Sequence, residues 1–271
     1  MEQCIVSLND ISKIKDNTIN IDNNIFWENT KILFRGKNNI LYIEEGAKLK
    51  NCTIKFLGDN SVVYISGSNR YTQINSNIFH DSALYLGKNN SFNGQAVLSL
   101  SERKHIIIGN DNMFSFNINI RLADPHLIYS IDTHERINLS ESVIIGDHVW
   151  IGESVKILKG ACIGSGSILG SNAIVTKKVF SNVSAAGIPA KVIKEGVFWT
   201  RPCVHAYKME QTRNSMVNKS DEFIYKKTNN LDIFSYINSK LDEAKSSVEK
   251  LEVLLWISKN NDKNRFFIGK Q

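Results

Sequence analysis

Six histidines are the side chains of this chain best suited to acid–base chemistry near neutral pH. They are His80, His105, His126, His134, His148 and His205. An unperturbed imidazole has a pKa of about 6.5 and can therefore accept a proton and return it under physiological conditions. His126 follows Pro125, whose fixed φ helps to hold the backbone, in a stretch that interrupts the repetitive part of the chain. On its position alone His126 is equally compatible with a general base and with an incidental loop residue, and His134 in the same stretch is the alternative base.

The elements that must position this stretch are built on a period of six. In IGDHVWIGESVKILKGACIGSGSILG (145–170) and just beyond it, an aliphatic residue recurs every six positions: Ile145, Ile151, Ile157, Ile163, Leu169 and Val175. Neither the 3.6-residue helix period nor the two-residue strand period fits. A sustained period of six predicts a parallel β-helix whose coils stack on one another. Fainter six-residue steps upstream, as between Ile43 and Leu49, extend the predicted solenoid back to about residue 25.

Residues 123–143, ADPHLIYSIDTHERINLSESV, break the period. Insertions in a solenoid form loops on one face, which is often the binding face, so we expect the chemistry there. His148 lies within a hexad, and this position favours a satisfied surface or groove residue over a catalytic one.

The spacing of the histidines and cysteines does not favour a metal site. The closest histidines, His126 and His134, are eight residues apart. The cysteines form no CxxC pair, so we expect reduced thiols, no zinc ribbon and no disulfide framework; they are Cys4, Cys52, Cys162 and Cys203. The histidine spacing therefore excludes a β-helix carbonic anhydrase. The sequence also has no glycine-rich phosphate loop, which excludes a sugar-nucleotide pyrophosphorylase.

The repeat ends after GIPAKVIKEG, which predicts a β-helix domain over 1–195 and a partly helical extension over 196–271. Residues 191–271 contain 15 basic and 10 acidic side chains and carry most of the net charge of +6. The spacing predicts one apolar helix face formed by Ile237, Leu241, Ala244, Val248, Leu251 and Leu255. This face packs either on the β-helix or against a second subunit. The basic charge suits an anionic partner, or is simply a solvated helical face.

The hexads, together with the 24-residue interval between His126 and Trp150, resemble the hexapeptide-repeat acyltransferases that acetylate sugars. In that family a loop histidine precedes the tryptophan of a V-W-I-G motif by the same interval. The resemblance implies a mainly β fold, the left-handed parallel β-helix with three hexads per coil. It also implies His126 as the base and Trp150 in the channel where thioester and acceptor meet. Many members read Ser-His-Pro where this chain reads Asp124-Pro125-His126, so the proline has changed sides.

The stretch SNAIVTKKVFSNVSAAGIPAKVIK (171–194) resembles the last coil and exit of the family. The resemblance implies acetyl-CoA as acyl donor and a homotrimer whose clefts are each shared by two chains. It places Ser171, Thr176 and Lys177 on the pantetheine and adenine nucleotide, and Lys191 and Lys194 near the phosphates. Lysine is a suitable phosphate partner.

The loop DPHLIYSIDTHERIN is similar to that of family members that modify capsule or lipopolysaccharide, including sialic acid and its polymers. This likeness implies an acidic carbohydrate acceptor, with Arg121 and Arg136 as candidate partners of its carboxylates. The expected activity is O-acetyl transfer within a ternary complex. An N-acetyltransferase of an amino-sugar nucleotide and a non-catalytic β-helix scaffold are the alternatives. Four carboxylates near the loop histidine could orient its ring: Asp124, Asp132, Glu135 and Glu141.

The chain contains no apolar run of the ~18 residues that a membrane span requires. Its start, MEQCIVSLNDISKIK, has a charged residue at position 2 and no long apolar segment. We therefore expect a cytoplasmic protein without a transmembrane segment, and we expect no nucleic-acid partner.

Overall fold

The computed structural model describes residues 2–22, 24–228 and 231–270. The first twelve strands are β1 (Gln3–Ile5), β2 (Thr18–Ile21), β3 (Phe26–Glu28), β4 (Lys31–Phe34), β5 (Ile40–Ile43), β6 (Lys48–Lys50), β7 (Thr53–Phe56), β8 (Val62–Ile65), β9 (Ile74–Ile78), β10 (Ala83–Leu86), β11 (Ser91–Phe92) and β12 (Ala96–Leu100). The remaining strands are β13 (Ile106–Ile108), β14 (Met113–Phe114), β15 (Asn119–Arg121), β16 (Val143–Ile145), β17 (Trp150–Ile151), β18 (Lys156–Ile157), β19 (Cys162–Ile163), β20 (Ile168–Leu169), β21 (Ile174–Val175), β22 (Val183–Ala186) and β23 (Lys191–Glu195). The helices are α1 (Met209–Asn214), α2 (Ile233–Glu243) and α3 (Ser247–Lys259), with 3₁₀ turns at Leu8–Lys13 and Val204–Ala206.

Successive strands of the chain join different sheets, which gives the three-sided parallel solenoid that the hexads predict. The first sheet runs β1-β4-β7-β9-β12-β15-β18-β21, and the second runs β19-β16-β13-β10-β8-β5-β2. The third sheet runs β11-β14-β17-β20-β22-β23, and β3 pairs with β6 near its N-terminal end. Antiparallel pairs close the two ends of the structure, β1 with β4 and β22 with β23. The predicted parallel β-helix is confirmed.

The length of each coil explains why the six-residue period is clear only in part of the chain. In the C-terminal coils Ile144 pairs with Cys162, so one coil holds 18 residues, or three hexads. In the N-terminal coils Thr18 pairs with Ile40, so one coil holds 22 residues. Asparagines with positive φ, such as Asn38 and Asn60, occupy the longer corners. Because β2 already pairs in parallel with β5, the solenoid begins at β2. This start is earlier than residue 25, the start predicted from the fading repeat.

The aliphatic residue of each hexad points into the solenoid. The six residues that define the period are each at most 1% exposed. Larger coils are filled by stacked rings, with centroids 4.7 Å apart for Phe34 and Phe56 and 4.6 Å apart for Phe92 and Phe114. This continuous core fixes the positions at which loops leave the corners.

The C-terminal helices pack on the outer face of the second sheet, within the same chain. Ile237 and Leu241 of α2 and Leu254 of α3 lie in one apolar cluster with Tyr64 and Tyr85 of the sheet. The predicted helix face is divided between two helices, and Leu251 and Leu255 of α3 still pack on this cluster. The chain breaks between α2 and α3, where the side chain of Ser246 caps the N-terminus of α3. As a result Val248 is 58% exposed.

Candidate active site

The inserted loop leaves the solenoid after β15 and returns before β16. The N–H of Glu141 donates to the carbonyl of Leu122 at 3.2 Å and closes its base. Above the base the loop is a short antiparallel hairpin, in which Tyr129 and Arg136 form an isolated bridge. Its fold depends on buried Asn138, whose Oδ1 accepts from the N–H of Ile128 at 3.0 Å.

Asn138 also holds the backbone of the predicted base. Its Nδ2 donates to the carbonyl oxygen of His126 at 2.7 Å. The side chain of His126 is exposed, and its ring nitrogens form no hydrogen bond with the described part of the chain. The backbone at His126 is therefore fixed, while both ring nitrogens remain available to a substrate.

Two ion pairs tie the loop to the coils on either side. Arg136 Nη2 donates to Glu102 Oε2 at 2.9 Å, and the guanidinium lowers the pKa of Glu102 to about 2. On the other side, Lys159 Nζ lies 2.6 Å from Asp124 Oδ2 and lowers the pKa of that carboxyl. Asp124 is one of the four carboxylates considered as partners of the His126 ring, and in the structure it anchors the loop.

Arg136, one of the two arginines predicted to bind an acceptor carboxylate, has partners within the chain. The structure gives Arg136 an internal carboxylate, together with Asn138, whose Oδ1 accepts from its Nε at 3.3 Å. Its guanidinium thus positions the loop, and a role toward an acceptor carboxylate stays a prediction. Arg121 differs, because it is exposed at the end of β15, directly before the loop. It stays a candidate.

Trp150 lies on a different side of the solenoid. It is on β17 in the third sheet, between Met113 and Ile168, and it is 40% exposed. The loop leaves the corner between the first and second sheets. The structure therefore does not join His126 and Trp150 into one site within one chain.

A buried cluster that the sequence did not reveal supports Trp150. His148 is buried with its ring stacked between Trp199 and Phe223, at centroid distances of 4.0 and 4.1 Å. Its Nδ1 lies 2.6 Å from Asp111 Oδ2, and its Nε2 lies 3.1 Å from the carbonyl oxygen of Trp199. Both ring nitrogens of His148 are satisfied, as expected, but the residue is buried and does not lie on the expected surface or groove. Trp199 in turn lies against Trp150, with ring centroids 6.0 Å apart.

Arg201 completes this cluster by fixing the start of the C-terminal extension. Its Nε and Nη2 donate to Asp111 Oδ1 at 3.0 and 2.8 Å. Asp111 and Arg201 are 90 residues apart. No periodicity links them, and only the tryptophan and arginine directly after the repeat could have drawn attention to this segment.

The residues predicted to contact coenzyme A divide into three places, all of them exposed. Ser171 follows β20 at the corner between the third and first sheets. Thr176 and Lys177 follow β21 at the corner between the first and second sheets, which also carries the inserted loop. Lys191 and Lys194 lie on β23 at the end of the solenoid.

Within residues 2–22, 24–228 and 231–270, none of the helices has the length and apolar character of a membrane span. In the same ranges, no group of three or more His, Cys, Asp or Glu side chains is placed to hold a metal ion.

Residues 142–177 match the family described as bacterial transferase hexapeptide (six repeats). A 102-residue segment, 38% of this chain, is 41% identical to a polysialic acid O-acetyltransferase of Escherichia coli O1:K1 / APEC, and the match spans 33% of that protein. Among solved structures, the polysialic acid O-acetyltransferase OatWY superposes with a TM-score of 0.62 at 31% identity, over 77% of this chain and 96% of that one. The polySia-specific acetyltransferase NeuO gives 0.60 at 30% identity, over 73% and 97%. The chain belongs to the hexapeptide-repeat acyltransferase family, which the hexads and the V-W-I-G motif predicted.

Proposed function

We propose that this protein transfers an acetyl group from acetyl-CoA to a hydroxyl of an acidic cell-surface carbohydrate of the polysialic acid type. The observation that carries the proposal is the likeness to a polysialic acid O-acetyltransferase over 96% of that chain's length. The exposed His126 on an anchored loop supplies the base that such a reaction needs.

In this mechanism His126 accepts the proton of a sugar hydroxyl while the hydroxyl oxygen attacks the thioester carbonyl carbon. The tetrahedral intermediate carries its charge on the former carbonyl oxygen, and the indole N–H of Trp150 donates to it. When the C–S bond breaks, His126 returns its proton to the departing sulfur. No acyl-enzyme forms, because the ternary complex already places donor and acceptor together.

The surface of the loop supports a site shared between subunits. Several large apolar side chains of the loop face solvent in the single chain, including Ile131 at 91% and Ile137 at 64% exposure. An apolar surface of this kind indicates a protein partner. A neighbouring copy would cover it and bring His126 of one chain to Trp150 of the next. We therefore propose a homotrimer with three such clefts.

The exposed polar side chains at the edges of this cleft fit coenzyme A. Lys177, Lys191 and Lys194 are exposed, and their ammonium groups suit its phosphates. Ser171 and Thr176 provide hydroxyls for the pantetheine amides. Acetyl-CoA supplies the activated acetyl group, and these residues hold it.

The acceptor is tested by measuring thiol release from acetyl-CoA with sialic acid polymers, neutral sugars and amino-sugar nucleotides. We expect release with the acidic polymer alone. Release only with the amine acceptors would replace this proposal with N-acetyl transfer. An absence of both release and acetyl-CoA binding would indicate a scaffold.

The shared cleft has its own test. Trimers of His126→Ala and of Trp150→Ala are dissociated, mixed and reassembled. If one cleft takes His126 and Trp150 from different chains, mixed trimers regain activity that neither variant has alone. If both residues act within one chain, mixing restores nothing.

A further inference from the structure

A polar pocket of about 330 Å³ lies between the solenoid and the helical extension, next to the inserted loop. Its solenoid wall is formed at the corner of the first and second sheets by Asp81, Glu102, Arg103 and Lys104. Its other wall comes from the end of α2 and from α3, and includes Asp242 and Lys250. The volume is within the ~300–1,000 Å³ range of small-ligand sites.

Lys250 is the unusual member of this pocket, because it is 1% exposed and yet carries an ionisable amine. Its Nζ lies 3.7 Å from Asp81 Oδ1, and it forms no hydrogen bond in the described structure. Burial lowers the pKa of Lys250, and Asp81 acts in the opposite direction. Burying an ammonium group without a hydrogen bond destabilises a protein. The Nζ of Lys250 therefore lacks a hydrogen-bond acceptor.

The acidic side chains of the pocket already have partners. Asp242 accepts from Lys104 Nζ at 2.9 Å through each carboxylate oxygen. Glu102 is paired with the loop, and Asp81 accepts from the side-chain amide of Asn60. These contacts leave little capacity for a cation.

Arg103 is the second cationic side chain of the pocket without a hydrogen bond in the described structure. Its side chain is exposed and makes no ion pair or hydrogen bond with the residues described here. It lies close enough to Lys250 to lower the pKa of that amine. Two cationic groups thus converge on the pocket while its carboxylates are already occupied. The complementary ligand is an anion, and a planar carboxylate matches the guanidinium geometry.

The position of the pocket relates it to the reaction. Glu102 lines the pocket and also anchors Arg136 of the loop. The solenoid residues of the pocket lie at the same corner as the loop, one and two coils before it. Neighbouring coils are ~4.8 Å apart, as stacked strands are. A polymeric acceptor whose reacting sugar lies at His126 would therefore extend across the pocket with its neighbouring sugars.

We propose that this pocket is an accessory subsite that binds the carboxylate of an acceptor sugar neighbouring the one that is acetylated. The inference rests on the proposed function. Arg103 forms a bidentate contact with the carboxylate, and Lys250 donates to it from the buried side.

The test measures the binding of sialic acid, of its oligomers and of inorganic phosphate to the full chain by calorimetry, without acetyl-CoA. The variants are Arg103→Gln, which is exposed and leaves the packing intact, and Lys250→Met, which keeps an unbranched stem of similar size. Lys259→Met is the matched control, because it removes an exposed charge from α3 outside the pocket. Thermal melting confirms that each variant is folded.

Oligomer affinity is expected to fall about tenfold in each pocket variant and to stay unchanged in Lys259→Met. In steady state, the KM for the oligomer rises by the same factor, while kcat and the KM for acetyl-CoA do not change.

Three outcomes overturn the subsite. In the first, both pocket variants bind oligomers as the parent does, and continued transfer by the parent then leaves the proposed function intact. In the second, all three variants weaken binding equally, which indicates general charge attraction. In the third, phosphate binds through Lys250 while oligomers do not bind, so the pocket serves a small ion. If, in addition, the parent acetylates no acidic glycan, the proposed function fails as well.

Discussion

Replacing Asp147 with asparagine should weaken the attachment of the C-terminal extension to the solenoid. Arg265 Nε and Nη2 donate to the two carboxylate oxygens of Asp147, each at 2.9 Å. The side chains are 1% and 12% exposed, so the ion pair is buried. The substitution leaves the guanidinium of Arg265 buried without its counter-charge, which typically costs ~3–5 kcal/mol.

Urea unfolding followed by circular dichroism measures this loss, and hydrogen exchange of residues 262–270 reports on local release. Asp221→Asn is the matched control, because its contact with Lys226 is 4.0 Å long and both side chains are at least 69% exposed. We expect the control to change stability by less than ~0.5 kcal/mol. The double variant Asp147→Asn/Arg265→Met should recover part of the loss, since it removes the unpaired charge. A loss below ~1 kcal/mol, with the extension still protected, would show that this ion pair does not hold the extension.

Three further predictions concern the core, the loop and the tryptophan. Phe114→Ala should lower the free energy of unfolding in urea by ~3–5 kcal/mol, since the ring is fully buried; a loss near zero would contradict the stacked core. The Glu102 ion pair with Arg136 lowers the carboxyl pKa to about 2 from 4.5, so the stabilisation is complete above pH 4.5 and is lost as the pH falls towards 2. The protection factors of the loop amides, which are corrected for the intrinsic pH dependence of exchange, should fall over that interval. Glu102→Gln should show low protection at every pH, and a variant with the parent's protection would exclude this anchor. Trp199→Ala should lower kcat about ten- to hundredfold without changing the KM for acetyl-CoA, because Trp199 supports Trp150; an unaltered kcat would exclude that role.

The regular part of the solenoid could be predicted because each hexad repeats the same local requirement. Ile145 and Ile163 are equivalent positions one coil apart, so a single pattern determines where both side chains point. The N-terminal coils hide this pattern, because their 22-residue length places extra residues at corners such as Asn38. The break between α2 and α3 could not be predicted either, because the spacing of apolar residues carries no information about the N-cap at Ser246.

The candidate site was predictable to the extent that it depends on local sequence. His126 and its loop could be identified as an interruption of the repeat, and the structure shows that ring exposed on an anchored hairpin. The role of Arg136 was not predictable, because its partner Glu102 lies in the preceding coil, 34 residues away. The buried Lys250 was hidden for a similar reason, since its surroundings form only when the extension packs on the solenoid.

The role of His126 as the base of an acetyl transfer is tested by comparing His126→Ala with His134→Ala. Acetyl transfer to a sialic acid polymer is measured at saturating acetyl-CoA, and acetyl-CoA affinity is measured separately. If His126 is the base, kcat falls ~10²–10⁴-fold in His126→Ala, with acetyl-CoA affinity unchanged, while His134→Ala keeps most of the activity. Transfer that survives in His126→Ala and is lost in His134→Ala would contradict the assignment.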